Sequence, residues 1–132
     1  MNRSTIERAC RKGNVIAIVG ASNDHGKYGY RVYNDLKNGG YKVYPVNPNE
    51  KHIQDDQAYP DVQSLPEKPD VVDIVTPPNV TEKVVKEAVE QGINIIWMQP
   101  GSESQAAIEY VENSPSDVVY DTCIMVERRH YA

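Results

Sequence analysis

Cysteine is scarce in this chain: Cys10 and Cys123 are the only two among 132 residues, and they lie far apart. That is too few for a disulfide scaffold and fits a reducing cytoplasm. It also excludes a cysteine-based zinc pattern, and His25, His52 and His130 show no H-x-x-x-H spacing. No apolar run approaches the roughly 18 residues of a membrane span. The start, Met1 to Glu7, lacks the apolar core of a signal peptide. Without export, the glycosylation sequon Asn79-Val80-Thr81 is expected to be incidental. Positive charge is in deficit, with 14 Lys and Arg against 19 Asp and Glu and a net charge of −5. General affinity for nucleic acid is therefore not expected. A phosphate-bearing ligand would have to be met by local cations or backbone N–H groups.

What is present is the composition of an ordinary globular domain, 39% hydrophobic and 25% charged. The length suits one domain, residues 1–132, with a real core. Val15–Val19 is apolar on both faces, which predicts a strand in a sheet covered by helices on both sides. A short leading helix is expected over Thr5–Arg11. A second helix is expected from about Gly26 to Lys37, with Gly29, Val32, Tyr33 and Leu36 on one packing face and Asn38-Gly39-Gly40 as its stop. Tyr41–Val46, Val71–Val75, Ile93–Met98 and Val118–Tyr120 read as further strands. Between the second and third strands, Asn47 to Lys68 reads as mostly irregular. Asn79 is expected to cap a helix carrying Val80, Val84, Val85 and Ala88 inward and ending at Gly92. Ser102 is expected to cap another, with Ala106, Ala107, Tyr110 and Val111. Strand and helix alternate over short connections, so the fold class is α/β, a Rossmann-like three-layer fold with a five-stranded parallel sheet.

Such sheets bind ligands beyond the C-terminal ends of their strands, near the point where strand order reverses. Those ends are all small, polar or proline-rich: Gly20-Ala21-Ser22-Asn23, Asn47-Pro48, Thr76-Pro77-Pro78, Gln99-Pro100-Gly101 and Asp121-Thr122-Cys123. A common cleft explains that shared composition better than five unrelated turns. The first turn offers backbone N–H groups, a hydroxyl and the positive end of a helix, which is anion-binding equipment. The plain reading is a strand-helix turn with Ser22 or Asn23 as cap. Lys27, in the expected first helical turn, opposes the helix dipole unless a phosphate is bound beside it. Lys51 could reach a phosphate across the cleft or be a solvated loop lysine.

The first turn departs from the dinucleotide fingerprint G-x-G-x-x-G, because Ser22 stands where the second glycine belongs. The second strand also ends in Asn47-Pro48 rather than the acidic residue that holds an NAD ribose. A neutral Asn with Lys51 nearby fits a phosphorylated ribose better; Pro48 would serve a rigid turn in any case. Catalytic signals are thin. Gly20-Ala21-Ser22-Asn23-Asp24 lacks the second glycine of a G-x-S-x-G elbow. Cys123 is the one candidate nucleophile, against the alternative of a buried structural thiol. Trp97 either walls the cleft or packs in the core. Tyr28 either covers a bound ligand or packs at the sheet end.

Gly20-Ala21-Ser22, Lys27, Gly40-Tyr41-x-Val43-Tyr44-Pro45-Val46-Asn47-Pro48, Asp70-Val71-Val72-Asp73, Pro77-Pro78, Trp97-x-Gln99-x-Gly101 and Asp121-x-Cys123 together resemble the small stand-alone CoA-binding proteins of prokaryotes. These are similar to the N-terminal CoA-binding domain of the succinyl-CoA synthetase alpha subunit. The resemblance runs from about Gly13 to Met125. It implies a Rossmann-like fold that binds coenzyme A at the strand ends. By position, it implies that Gly20, Ala21, Ser22 and Asn23 contact the phosphates. Lys27, Asn47, Pro48 and Lys51 would lie around the nucleotide, and Thr76, Pro77 and Pro78 would flank the adenine or pantetheine. Gln99 and Gly101 would line the far side. The histidine phosphorylated in the synthetase belongs to a later domain, so ligase activity is not implied. Tyr28 stands where many relatives have proline.

The expectation is therefore a non-catalytic, cytoplasmic protein that binds coenzyme A or an acyl-CoA as a carrier, sensor or subunit. No nucleic-acid or membrane partner is expected, and pairing as a homodimer is open. Two other readings stay open: a module binding NADP(H) or NAD(H), and an enzyme using Cys123 on a CoA thioester or disulfide.

Overall fold

The computed structural model describes residues 3–131; Met1, Asn2 and Ala132, the outer ends of the expected single-domain span, lie outside the described residues. Five parallel strands form the central sheet. They are β1 (Val15–Val19), β2 (Lys42–Val46), β5 (Val71–Ile74), β6 (Ile95–Met98) and β7 (Asp117–Val119), in the order β2-β1-β5-β6-β7. The chain leaves β1 toward β2 on one side and then crosses to β5 on the other. The switch in strand order therefore falls at β1.

Side-chain alternation sorts the strands into two cores. Ile16, Ile18, Val71, Ile95, Trp97 and Val119 face one way and meet Ile6, Ala9 and Cys10 of the N-terminal segment, Val32, Tyr33 and Leu36 of α2 (Tyr28–Asn38), and Ile124. Ala17, Val19, Val46, Val72, Ile74, Ile96 and Met98 face the other way. They meet Val85 and Ala88 of α3 (Pro78–Glu90) and Ala107, Ile108 and Val111 of α4 (Gln105–Glu112). The three-layer α/β architecture expected from the sequence is present.

Several local expectations are corrected. The leading helix α1 spans Arg3–Ala9 rather than starting at Thr5. Helix α2 starts at Tyr28, and Lys27 is its extended N-cap residue, outside the first turn. Neither Ser22 nor Asn23 caps it. Asn79 does not cap α3: Pro77 holds the N-cap position and Pro78 follows at the helix start, where a missing N–H costs nothing. Ser104, not Ser102, caps α4 by accepting from the Ala107 amide at 3.1 Å. In α4 Ala106 and Tyr110 are exposed while Ile108 packs inward. In α3 Val80 is 37% exposed rather than core, and Thr81 takes the buried place.

The segment read as irregular contains a small hairpin, β3 (His52–Ile53) with β4 (Asp56–Gln57). It is fixed from outside. Asn23 donates to the His52 carbonyl at 2.8 Å and accepts from the Gln54 amide at 2.8 Å. Asp56 accepts from the Tyr33 hydroxyl and from Lys37 Nζ. The tail after β7 forms a short helix α5 (Ile124–Glu127) and a 3-10 turn. No helix among the described residues is long and apolar enough to cross a membrane.

Candidate functional site

A cleft of about 570 Å³ opens over the C-terminal ends of β1, β2 and β5, at the switch point. Its floor is Val19, Val46 and Val75. One rim is the turn after β1 with the start of α2: Gly20, Ser22, Lys27, Tyr28 and Gly29. The second is Asn47-Pro48-Asn49 with Pro60-Asp61-Val62, and the third is Thr76, Pro77 and α3 through Val80, Val84 and Glu87.

The turn after β1 is built for close approach. Gly20 has φ +99°, a left-handed conformation that side chains rarely adopt. A Cβ on Gly29 would overlap the Gly20 carbonyl oxygen, so only glycine lets α2 begin this near the strand. Ser22 Oγ accepts from the Asp24 amide at 3.0 Å, and Asp24 Oδ1 accepts from the Gly26 amide at 3.0 Å. These contacts close the loop on itself. No side chain caps α2; the Tyr30 amide turns back to the Lys27 carbonyl at 3.2 Å, and the Tyr28 and Gly29 N–H groups are left without a partner among the described residues.

Asn47 holds the neighbouring turn. Its Nδ2 donates to the Ala21 carbonyl at 2.9 Å, and its Oδ1 accepts from the Asn49 amide at 2.8 Å. Both ends of the amide are engaged within the protein, which ties the β1 and β2 turns together. Pro45 sits in the edge strand β2, where a missing donor is tolerated. Its carbonyl accepts from Tyr59 at 3.0 Å, and Asn47 N donates to the Tyr59 carbonyl at 2.8 Å. That pairing brings Pro60, Asp61 and Val62 to the cleft.

Of the residues singled out from the sequence, Gly20, Ser22, Lys27, Asn47, Pro48, Thr76 and Pro77 line this cleft. Lys51 borders an adjoining hollow of about 450 Å³ that shares Asn47, Pro48 and Pro60 with it. Ala21 is buried and Asn23 braces the hairpin. Pro78, Gln99 and Gly101 do not line the cleft. Gln99 is fully buried, donating to Asp73 and accepting from the Ile124 amide at 3.3 Å. Trp97 is a core residue, its Nε1 donating to the Thr122 carbonyl at 2.9 Å. Sequence reasoning missed Pro60-Asp61-Val62 and Glu87 and placed Val80, which is exposed at the cleft, on the inner face of α3; Val84 packs against the core as expected and lines the cleft as well. The i, i+4, i+7 spacing of Val80, Val84 and Glu87 was the available signal, since one such strip can face a cleft as readily as a core.

Tyr28 spans the cleft and the region behind it. The residue borders the cleft, its side chain packs against the core on the α2 side of the sheet, and its hydroxyl lies 2.6 Å from Cys123 Sγ. Burial, then the Cys123 contact, raises the phenol's pKa. Cys123 is half-buried and does not line the cleft. Among the described residues, no group of three or more His, Cys, Asp and Glu side chains is placed to hold a metal ion.

The sequence matches the CoA binding domain family over residues 14–129. Two similar curated proteins are ADP-forming acetate–CoA ligase chains. The form II alpha subunit of Pyrococcus furiosus is 42% identical over 79 residues, covering 59% of this chain and 17% of that one. Form II of Archaeoglobus fulgidus is 35% identical over 100 residues, covering 72% and 15%. The chain thus spans less than a fifth of the length of these relatives. Among solved structures, a conserved hypothetical protein from Pyrococcus furiosus is 42% identical with TM-score 0.83, covering 86% of this chain and 98% of that one. A hypothetical protein from Pyrococcus horikoshii OT3 is 28% identical with TM-score 0.92, covering 99% and 92%. With a match that takes in both the phosphate-type turn and the strand ends around the cleft, this chain belongs to the CoA binding domain family.

Proposed function

We propose that the cleft at the switch point binds coenzyme A or an acyl-CoA, and that the domain holds it without transforming it. The observation that carries this reading is the uncapped start of α2 set against Gly20, with Lys27 beside it. Backbone N–H groups and one lysine converge where the Cβ-free Gly29 leaves room, and a diphosphate is the group such a turn suits. Asn47 and Pro48 then border the ribose, and Thr76 and Pro77 flank the adenosine. Lys51, in the adjoining hollow, is the cation within reach for a ribose phosphate.

The absence of a carboxylate at the end of β2 favours CoA over NAD. The amide of Asn47 is engaged once at each end, which fixes the turn and leaves one N–H and one lone pair at the cleft. The non-catalytic part of the reading rests on Cys123, whose sulfur is paired with Tyr28 behind the cleft. The ligase relatives share less than a fifth of their length with this chain. Their common segment is read as the CoA-holding part of a larger catalyst.

Titration calorimetry with CoA and dephospho-CoA tests the reading. Micromolar CoA binding, weaker for dephospho-CoA, is the expected result. No binding of either below millimolar concentration would sink it.

A further inference from the structure

We infer that the inner end of the cleft reads the amino edge of the base through Glu87. This rests on the CoA reading of the cleft and goes on to what makes the base adenine.

Val80, Val84 and Glu87 lie at i, i+4 and i+7, so they form one strip along α3, and all three line the cleft. At 1.5 Å per residue the strip spans roughly 10 Å, about the length of a nucleoside. It leads from the strand tips, where α3 begins, down to Glu87. Pro60, Asp61 and Val62 form the facing wall. The slot between is apolar except at its inner end.

Glu87 is fixed there. Its Oε1 accepts from the Val62 amide at 3.0 Å and from the Gln63 amide at 3.2 Å. Its Oε2 makes no hydrogen bond among the described residues. Asp61 stands next to this contact in the chain, with Oδ1 taken by the Ser64 amide at 2.8 Å. The charged residues lining the cleft are therefore polarised. Lys27 lies at the phosphate-type turn, and two carboxylates lie at the valine-lined end. A phosphate is repelled from that end. A flat apolar ring bearing N–H donors suits that end, because Glu87, held by its Oε1, presents Oε2 as an acceptor beside the apolar wall. The exocyclic amine of adenine supplies that donor, with the ring against the valines and prolines and the phosphates toward Lys27.

The test compares CoA with its analogue carrying unsubstituted purine, hydrogen in place of the 6-amino group, on the unaltered protein by calorimetry. The analogue adds no bulk, so a loss reports the amine alone. The expected result is binding about 10-fold or more weaker than CoA. Glu87→Gln refines it. The Gln carbonyl still serves the Val62 and Gln63 amides, so the outward atom becomes an N–H donor facing the amine. Its thermal midpoint should stay near the wild-type value while the preference for CoA over the analogue disappears. CoA and the analogue binding the unaltered protein within two-fold of each other would overturn the base assignment and leave the CoA reading standing. Failure of both to bind overturns the CoA reading and the base assignment with it.

Discussion

Gln99 donates from Nε2 to Oδ1 of Asp73 at 2.5 Å, and both side chains are wholly buried. Asp73 lies in the middle of the sheet, in register with Ile18 on β1 and Trp97 on β6. Its Oδ2 has no hydrogen-bond partner among the described residues. Burial drives its pKa up to about 7, against the opposing pull of the Gln99 bond. Between the ordinary carboxylate range and pH 7, the folded chain keeps a proton that the unfolded chain releases. This contribution to stability is full below the unfolded value and is lost as pH rises through about 7. Urea midpoints of wild type should therefore fall between pH 5 and pH 8. Asp73→Asn should flatten that fall and exceed wild type at pH 8 by a few kcal/mol, at about 1.4 kcal/mol per pKa unit. Parallel curves for the two proteins would refute the assignment.

The close approach of Gly29 to the Gly20 carbonyl makes a second prediction. Gly29→Ala must push α2 off the turn. The expected cost is about 1–3 kcal/mol of stability, with CoA affinity lowered about 10-fold or more because the phosphate turn widens. Gly13→Ala is the control. A Cβ there meets nothing within 4 Å, so both properties should hold. Equal CoA affinity for Gly29→Ala and wild type would contradict the placement of the phosphates.

The sheet and the turn were readable in the sequence because their causes are local. Val15–Val19 is apolar on both faces, and it matches β1 residue for residue. The five-stranded parallel sheet follows from the alternation of such runs with helical patterns. The hairpin over His52–Gln57 was not readable, since its order comes from Asn23, Tyr33 and Lys37, all distant in sequence. The rim residues Asp61 and Glu87 escaped for the same reason. Asp61 reaches the cleft through the pairing of Tyr59 with Pro45 and Asn47, and Glu87 is held by amides 24 and 25 residues away. Caps were misassigned where two candidates lay within a turn of each other, as with Ser102 and Ser104.

The two cysteines should differ sharply in reactivity. Cys10 is fully buried, and burial pushes its thiol pKa up to about 12. Such a thiol is inert at neutral pH. Cys123 is half-buried, with its sulfur against the Tyr28 hydroxyl. Native protein treated with iodoacetamide should take one label, at Cys123, and denatured protein two. Tyr28→Phe removes the hydroxyl contact and should speed labelling of Cys123. Labelling of Cys10 in the folded state would contradict the packing of α1.

The C-terminal segment is tied to α2 by Arg128, whose Nε and Nη2 bond the two Asp35 oxygens at 2.8 and 3.1 Å. The side chains are only 15% and 18% exposed, so solvent screens this pair weakly. Arg128→Ala should cost about 1.5–3 kcal/mol. Arg128→Lys should recover part of it, because an ammonium cannot form the two-pronged contact. The exposed pair Arg8–Asp117 offers the contrast: Asp117→Ala should cost about 0–1 kcal/mol. Denaturant titrations of the three variants measure both differences. Equal losses at Arg128 and Asp117 would mean that burial does not set the strength of these pairs.

Asn47 makes the strongest test of how the two turns cooperate. Its Nδ2 bonds the Ala21 carbonyl and its Oδ1 takes the Asn49 amide. Asn47→Asp keeps the second contact and loses the first, setting a carboxylate against a carbonyl oxygen at the edge of the phosphate turn. The fold should persist, because the pairings of Tyr59 with Pro45 and with Asn47 use backbone atoms alone. CoA binding should weaken by about 10-fold or more from lost alignment and added repulsion. The repulsive part should shrink at higher salt, since charges near the surface are screened over about 8–10 Å. Asn47→Ala separates the two effects, losing the alignment without the charge, so its defect should be smaller and independent of salt. Calorimetry at two ionic strengths decides the matter. An Asn47→Asp variant that binds CoA as well as wild type would remove Asn47 from the site.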